Sequence, residues 1–393
     1  MGKLFSISGT IFFTILFSCN IQAQDNLNLS EKISRIDSGN IFISNDYYNW
    51  GSTVIKGDDG KYHMFYERWP HGKRALDDDS MNYIFNGFSG WMKYGEIAYA
   101  VADNLNGPYH FVNTVIKGSG DPLRWDRFIA ENPQIRKFGK NYYLYYISNS
   151  FDSAYTNENV KDKETLHWFK YNCTQKVGVL KAASIEDLVK GHYQKSENYL
   201  MAPDNISTFE VTNNPSVTEG PDGKYYMMYK SRKPKGGTMT FWIAKTDKPD
   251  RPFKTIGKVF TDPDMACEDP CVWYDKKRKR FYAVAKYFSN SKKLAPQFGA
   301  LVLITSTDAK EWAPAANTLV SLKELNFKNG TNVPLDRLER PFIVSDNKGN
   351  PIALFAAAAV KNPAKADLNN LLPEFNSFNV CFPLTGKSKT AVK

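Results

Sequence analysis

The chain of 393 residues is poor in the residue types that carry metal and thiol chemistry: it holds five histidines and five cysteines. The histidines are unclustered, so no zinc-site spacing is present. The cysteines are too sparse for a disulfide framework. Cys267 and Cys271 lie four residues apart on an extended segment and cannot bridge each other. Cys173, Cys267, Cys271 and Cys381 therefore read as buried free thiols. No apolar run reaches the ~20 residues that a membrane-spanning helix requires. Charge of one sign is not gathered into blocks either. The formal net charge is +10, yet the basic residues are scattered apart from "KKRKR" at 276–280, which reads as a solvated hairpin turn. There is no recognisable nucleic-acid module. Helical periodicity is almost absent.

The N-terminal segment has a short basic start at Lys3, an apolar stretch from Ile11 to Phe17 and a small-residue exit at "IQA". It reads as a secretory signal over residues 1–23, cleaved near Ala23. That places residues 24–393 in the periplasm or outside the cell. "LFSC" ending at Cys19 resembles a lipoprotein box, although Phe17 stands where a small residue is usual, so a lipid anchor at Cys19 is the alternative.

Apolar residues make up 42% of the chain and aromatic residues 14%, with 22 Tyr and 26 Phe. Aromatic and β-branched side chains pack well on pleated sheet. Aromatic rings also stack on the apolar faces of sugars, although core packing accounts for most of them.

Internal repeats organise what remains. "GDDGKYHMFYERW" at 57–69 recurs as "FGKNYYLYYISN" at 138–149 and "GPDGKYYMMYKSR" at 220–232. Weaker copies are "KKRKRFYAVAKYF" at 276–288 and "DNKGNPIALFAAA" at 346–358. Each is a turn followed by an apolar or alternating strand, and each is preceded by another short strand, giving a hairpin. Third strands begin at Ile97, Val177, Phe241 and Leu301, and lead through a turn into a short fourth. Four strands per unit and five units predict an all-β, five-bladed β-propeller. "GNIFIS" at 39–44 is placed to pair with the C-terminal "FNSFNVCF" and close the ring.

In a propeller the first strand of each blade lines the central channel. The pairs at the mouths of these strands are Trp50-Gly51, Glu131-Asn132, Asn213-Asn214, Glu268-Asp269 and Glu339-Arg340. Four are followed by Pro, which is tolerated at the first residue of a strand. The pairs thus form a ring of convergent polar groups. Because adjacent side chains on a strand point to opposite faces, one member of each pair is expected to face the channel.

The E-D-P, E-N-P and E-R-P sequences resemble the D-P and E-x-P blade openings of five-bladed furanosidase-type glycoside hydrolases, families 43, 32 and 117 among them. "WGSTVIKGDDGKYHMFYERWP", "CEDPCVWY" and "RLERPFIV" are similar to segments of family 43-like proteins from polysaccharide-degrading Bacteroidetes. The resemblance covers residues 40–385. It implies an acid Glu two residues before a blade-opening Pro, a slot held here by Glu131, Glu268 and Glu339. It implies further carboxylates directly before Pro, matched here by Asp269 alone. Blade 1 of such enzymes carries the base Asp, and this chain departs from them with Gly51. No cofactor is implied. A structural Ca2+ in the channel is a feature of related propellers that no residue pattern here specifies.

Glycoside hydrolysis needs one protonated carboxyl for the leaving oxygen and one ionised carboxylate for water or the sugar. Clustered acids supply this by pushing their pKa values apart. Around Glu131, Glu268, Asp269 and Glu339, Asn214 belongs to the same ring. Arg68, Lys230 and Arg340 are candidates for holding an anionic substituent, Trp50 and Trp69 for stacking on sugar, and Asp126 for reaching the channel. Arg340 alternatively neutralises Glu339. The expected activity is exo-acting hydrolysis of a terminal or side-chain sugar of a polysaccharide or oligosaccharide. The positive net charge favours an acidic one. A non-catalytic carbohydrate-binding propeller and a polysaccharide lyase with a Tyr or His base are the alternatives.

Overall fold

The computed structural model describes residues 24–71, 90–154, 156, 158, 163–206, 208–232, 237–360 and 377–385. The segment read as a secretory signal, with Cys19, lies outside these residues. No helix among them is long and apolar enough to cross a membrane.

Five four-stranded antiparallel sheets make up the five-bladed propeller. The chain enters through β1 (Ile41–Phe42), which belongs to the last blade. Blade 1 is β2 (Tyr47–Lys56), β3 (Tyr62–Pro70), β4 (Glu96–Ala102) and β5 (His110–Ile116). Blade 2 is β6 (Glu131–Phe138), β7 (Asn141–Ser148), β8 (Lys176–Ala182) and β9 (Gln194–Lys195). Blade 3 is β10 (Phe209–Glu219), β11 (Tyr225–Arg232), β12 (Thr240–Thr246) and β13 (Lys254–Lys258). Blade 4 is β14 (Cys267–Asp275), β15 (Arg280–Tyr287), β16 (Leu301–Ser306) and β17 (Ala313–Ser321). A small ribbon of β18 (Glu324–Asn326) and β19 (Asn332–Pro334) precedes blade 5, which is β20 (Arg337–Ser345), β21 (Pro351–Ala359) and β22 (Ser377–Pro383). Ile41 pairs with Val380 and Phe42 with Asn379, so the N-terminal segment supplies the outermost strand of blade 5 and closes the ring.

The repeated hairpin turns have a common cause. In "GDDGK", "GPDGK" and "DNKGN" the backbone reverses with Gly60, Gly223 and Gly349 at φ +84°, +70° and +77°. Glycine adopts that region without a β-carbon penalty. The flanking second strands are apolar through their middles, as in Met64–Tyr66, Leu144–Ile147 and Met227–Tyr229, because they are sandwiched between neighbouring blades. The basic turn at 276–279 is solvent-facing as expected, with Arg278 paired to Asp275 at 2.8 Å.

One irregularity recurs in every first strand and builds the site. The strand ladder jumps between Trp50 and Thr53, Glu131 and Gln134, Asn213 and Ser216, Glu268 and Cys271, and Glu339 and Phe342. At each jump one residue adopts a left-handed backbone: Gly51 (φ +44°), Asn132 (+52°), Asn214 (+51°), Asp269 (+60°) and Arg340 (+54°). These are β-bulges, which re-aim side chains and bend a strand. Two sequence expectations are corrected here. The prolines 133, 215, 270 and 341 stand inside the strands, at the bulges, where the ladder is already broken and a missing N–H costs nothing. The left-handed residue also cancels the strict alternation of a flat strand, so both members of a pair turn toward the channel.

One step deeper, the side chain of the first residue past the bulge stitches neighbouring blades together at four of the five bulges. Ile135 N donates to Thr53 Oγ1 (3.2 Å), Val217 N to Gln134 Oε1, Val272 N to Ser216 Oγ (2.8 Å) and Ile343 N to Cys271 Sγ (3.3 Å). Cys271 thus serves as an inter-blade acceptor, and all four described cysteines are free thiols. Below this ring Arg136 reaches across the channel. It donates to Val217 O (2.9 Å) and Val272 O (3.3 Å), and its guanidinium lies over the Phe342 ring (4.8 Å). The Arg136 guanidinium is thus a fixed cation at that level of the channel. Among the described residues no cluster of three His, Cys, Asp or Glu side chains is suited to a metal.

Candidate active site

At the mouth above this floor, all five blades contribute to one cavity of about 310 Å3. It is walled by Glu131, Asn132, Asn213, Asn214, Glu268, Asp269, Glu339, Arg340 and Trp50 from the first strands. Below it the channel narrows to a space of about 20 Å3 between the prolines, so the cavity is blind.

A second tier comes from the neighbouring strand of each blade. The residues paired across the ladder from the leading positions are Glu67 with Trp50, Ile147 with Glu131, Lys230 with Asn213, Lys286 with Glu268, and Ala357 with Glu339. Three of these five are charged, each following a buried apolar run in its strand.

Glu131 lies at the centre of the chemistry. It is 2% exposed, and Oε1 has no hydrogen-bond partner among the described residues. A β-carbon on Gly95 would overlap that oxygen, so the glycine leaves room for the carboxyl. Burial pushes its pKa well above the usual carboxylate range, and the charge of Glu67 pushes it further. The charge of Arg340 opposes this, but burial dominates and favours the protonated form.

Glu67 and Asp269 flank Arg340. Glu67 Oε2 accepts from Asn132 N (2.6 Å) and Asn132 Nδ2 (2.9 Å). Burial raises its pKa, while Arg340 and the two Asn132 donors pull against that. Asp269 is pushed up to about 6 by burial and by Glu268, with Arg340 opposing. Asp269 Oδ2 accepts from Arg340 N at 3.2 Å, and Oδ1 lies 3.7 Å from Arg340 Nη1. Arg340 Nη1 also donates to Asn132 Oδ1 (3.2 Å), which further accepts from Asn214 N and Nδ2.

Glu268 is held differently. Its Oε2 accepts from Lys230 (2.9 Å) and its Oε1 from Lys286 (2.6 Å). Lys286 reaches on to Glu339 Oε1 at 2.6 Å. Burial opposes ionisation, but the two ammonium groups outweigh it and hold Glu268 at about 2. Such a carboxylate has no proton to give at working pH.

The rim is aromatic. Trp91, in the short helix α1 (Trp91–Tyr94), meets Trp168, from α2 (Lys163–Asn172), edge to face at 6.3 Å. Trp69 and Gln175 complete the wall. Gln175 accepts from Asn213 Nδ2 at 2.7 Å, so the segment after α2 is tied to blade 3.

The structure brings Glu131, Glu268, Asp269, Glu339, Trp50, Trp69, Asn214, Lys230 and Arg340 to this cavity. Arg68 and Asp126 are elsewhere, which corrects the sequence expectation. Arg68 donates to Glu96 (2.9 Å) and Thr114 (3.0 Å) and is sandwiched between Tyr47 and Phe111. Asp126 is buried between Arg124 (2.8 Å) and Lys195 (2.5 Å). Both are ion pairs that fasten outer parts of a blade. Arg340 turns away from Glu339 and toward Asp269, because the left-handed backbone rotates its side chain inward. The sequence reading missed Glu67, Lys286, Trp91, Trp168 and Arg337. Glu67, Lys230 and Lys286 occupy one column of the repeat, in "FYERW", "MYKSR" and "AVAKYF", so a charge recurring in a buried strand was the available signal.

No family model matches the chain, and no curated protein matches it. Solved structures do share its fold. A family 117 glycoside hydrolase of the marine bacterium Zobellia galactanivorans superposes with TM-score 0.53 at 15% identity, over 90% of this chain and 89% of that one. The native arabinanase of Bacillus subtilis gives 0.53 at 12% identity, over 86% and 95%. An α-L-arabinofuranosidase from Lactobacillus brevis gives 0.52 at 12% identity, over 91% and 94%. At these identities the likeness is one of fold.

Proposed function

We propose that the protein is a glycoside hydrolase that removes a terminal or side-chain sugar from a polysaccharide or oligosaccharide by paired-carboxylate acid/base chemistry. The observation that carries this is Glu131, a buried carboxyl without a hydrogen-bond partner for Oε1 among the described residues and shifted toward its protonated form, facing a cavity in which Glu268 is held ionised by Lys230 and Lys286. Glu131 protonates the leaving glycosidic oxygen. The ionised partner comes from the carboxylates gathered around Arg340. Glu268, clamped by two lysines, is assigned to holding charge and shape rather than to giving a proton, and Glu339 shares that clamp.

The cavity size and closed floor support exo action on a single end residue, since ligand cavities of roughly 300 Å3 are the smallest of the usual range. The shared fold with arabinan-degrading and family 117 enzymes supports a carbohydrate substrate. Tryptophans 50, 91 and 168 offer ring faces for a sugar. An acidic substrate is supported by the net charge of +10 and by Arg337, half-exposed at the mouth. The N-terminal segment supports action outside the cytoplasm. A lyase is disfavoured, because no tyrosine or histidine lines the cavity among the described residues. The binding-only reading is favoured by Gly51.

Incubation with a panel of plant and algal oligosaccharides tests the proposal by product. New reducing ends without near-ultraviolet absorbance are expected. An absorbing unsaturated end identifies a lyase, and retention of intact oligosaccharide without cleavage identifies a binding protein.

A further inference from the structure

The carboxylate missing from blade 1 has a structural substitute. In three of the inter-blade contacts at the cavity floor, a residue at a bulge gives its backbone N–H to an acceptor in the preceding blade. Asn214 N donates to Asn132 Oδ1 (3.0 Å) and Arg340 N to Asp269 Oδ2 (3.2 Å), both acceptors being bulge side chains. Asn132 N donates to Glu67 Oε2 at 2.6 Å, although the bulge residue of the preceding blade is Gly51. Glu67 therefore takes the place in the ring that a side chain on position 51 would hold. The space confirms the exchange: a β-carbon on Gly51 would lie 2.7 Å from Glu67 Oε1 and 3.1 Å from Arg340 Nε. Gly51 and Glu67 sit across one strand pair, at Trp50↔Glu67.

We infer that Glu67 is the catalytic base, a carboxylate delivered to the blade 1 position from the second strand of the blade instead of the first. The inference rests on the hydrolase reading above. In the reaction, Glu67 takes a proton from water as the water oxygen bonds to the anomeric carbon. The glycosidic C–O bond breaks, and Glu131 gives its proton to the departing oxygen. The next turnover begins when the proton on Glu67 is returned to solvent and Glu131 is reprotonated. The surroundings suit the role. Two Asn132 donors fix the orientation of Oε2, and they and the charge of Arg340 favour the ionised form against the burial that raises its pKa overall. Asp269, on the other side of Arg340, is then a positioning residue that holds the guanidinium.

The test compares wild type, Glu67→Ala and Glu131→Gln on p-nitrophenyl glycosides and on an oligosaccharide the wild type cleaves. p-Nitrophenolate needs no protonation to leave, so an acid variant keeps activity on it and a base variant does not. Glu67→Ala is expected to lose roughly 10²- to 10⁴-fold in kcat on both substrates. Added formate, which returns a carboxylate to the vacated space, restores part of it. The double variant Gly51→Asp/Glu67→Ala, which moves the carboxyl to the first strand, is expected to exceed Glu67→Ala alone. Circular dichroism and melting temperature establish that each variant is folded. A folded Glu67→Ala protein within a few-fold of wild type, or one losing activity only on the oligosaccharide, overturns the assignment while leaving the hydrolase reading standing. A wild type that cleaves no glycoside overturns both.

Discussion

Gly51 and Glu67 share one volume: the glycine has no side chain where the glutamate carboxyl lies, and a β-carbon there would approach Glu67 Oε1 to 2.7 Å. Gly51 also holds φ at +44°. Gly51→Ala is therefore expected to destabilise the protein by about 1–3 kcal/mol, from the left-handed backbone and the contact together. In a Glu67→Ala background the same change should cost less, because the contact has gone. Denaturant melts of the four proteins measure the difference as a double-mutant cycle. Additive losses would mean that the two residues do not compete for space.

Glu268 makes a prediction about stability. Its folded pKa of about 2 lies below the ordinary value of 4.5, so its contribution is present above pH 4.5 and is lost as the pH falls toward 2. A difference of that size corresponds to about 3 kcal/mol. Glu268→Gln leaves Lys230 and Lys286 short of a buried partner and should cost a similar amount at neutral pH. It should also flatten the acid side of the stability curve between pH 4.5 and 2. A Glu268→Gln protein as stable as wild type at pH 7 would show that the clamp is not a stability element.

The pH profile of kcat/KM should be a bell. Asp269, which ionises at about 6 beside Arg340, and Glu67 must be deprotonated for the site to carry its negative charge, so the rate rises with pH through that region. Glu131 must stay protonated, so the rate falls as the pH climbs past its raised pKa. On p-nitrophenyl substrates Glu131→Gln should remove the alkaline limb and keep the acidic one. Persistence of both limbs would take the proton-donor role away from Glu131.

The Arg340 guanidinium is held by Asn132 and Asp269, so its loss should not discriminate between substrates. Arg340→Ala is expected to lower kcat/KM on a charged and a neutral substrate by the same factor. It should also move the acidic limb to higher pH, since the guanidinium favours the ionised forms of Glu67 and Asp269. A larger loss on the charged substrate would place the guanidinium on the substrate instead.

Much of this architecture was legible in the sequence, because a hairpin with a Gly turn and an apolar second strand repeats along the chain. Four of the five leading pairs, Glu131-Asn132 and Glu268-Asp269 among them, could be located from the prolines. The direction of their side chains could not. It depends on a left-handed residue that Asn132, Asn214 and Asp269 suggest by type, since Asn and Asp enter that region more readily than most, but that Arg340 does not. Proton states were hidden for another reason. Glu131 and Glu268 occupy the same slot in the repeat, and only their neighbours separate them: Ile147 and Gly95 around one, Lys230 and Lys286 around the other. Trp91 and Trp168 lie in segments outside the repeat, where no periodicity pointed to them.

The leaving-group dependence of Glu131→Gln tests the account most directly. If Glu131 is the proton donor of a glycoside hydrolase, this variant should lose roughly 10²-fold or more in kcat/KM on an oligosaccharide the wild type cleaves, and stay within about 10-fold of wild type on the matching p-nitrophenyl glycoside. Equal losses on the two substrates, or no loss on either, would contradict it.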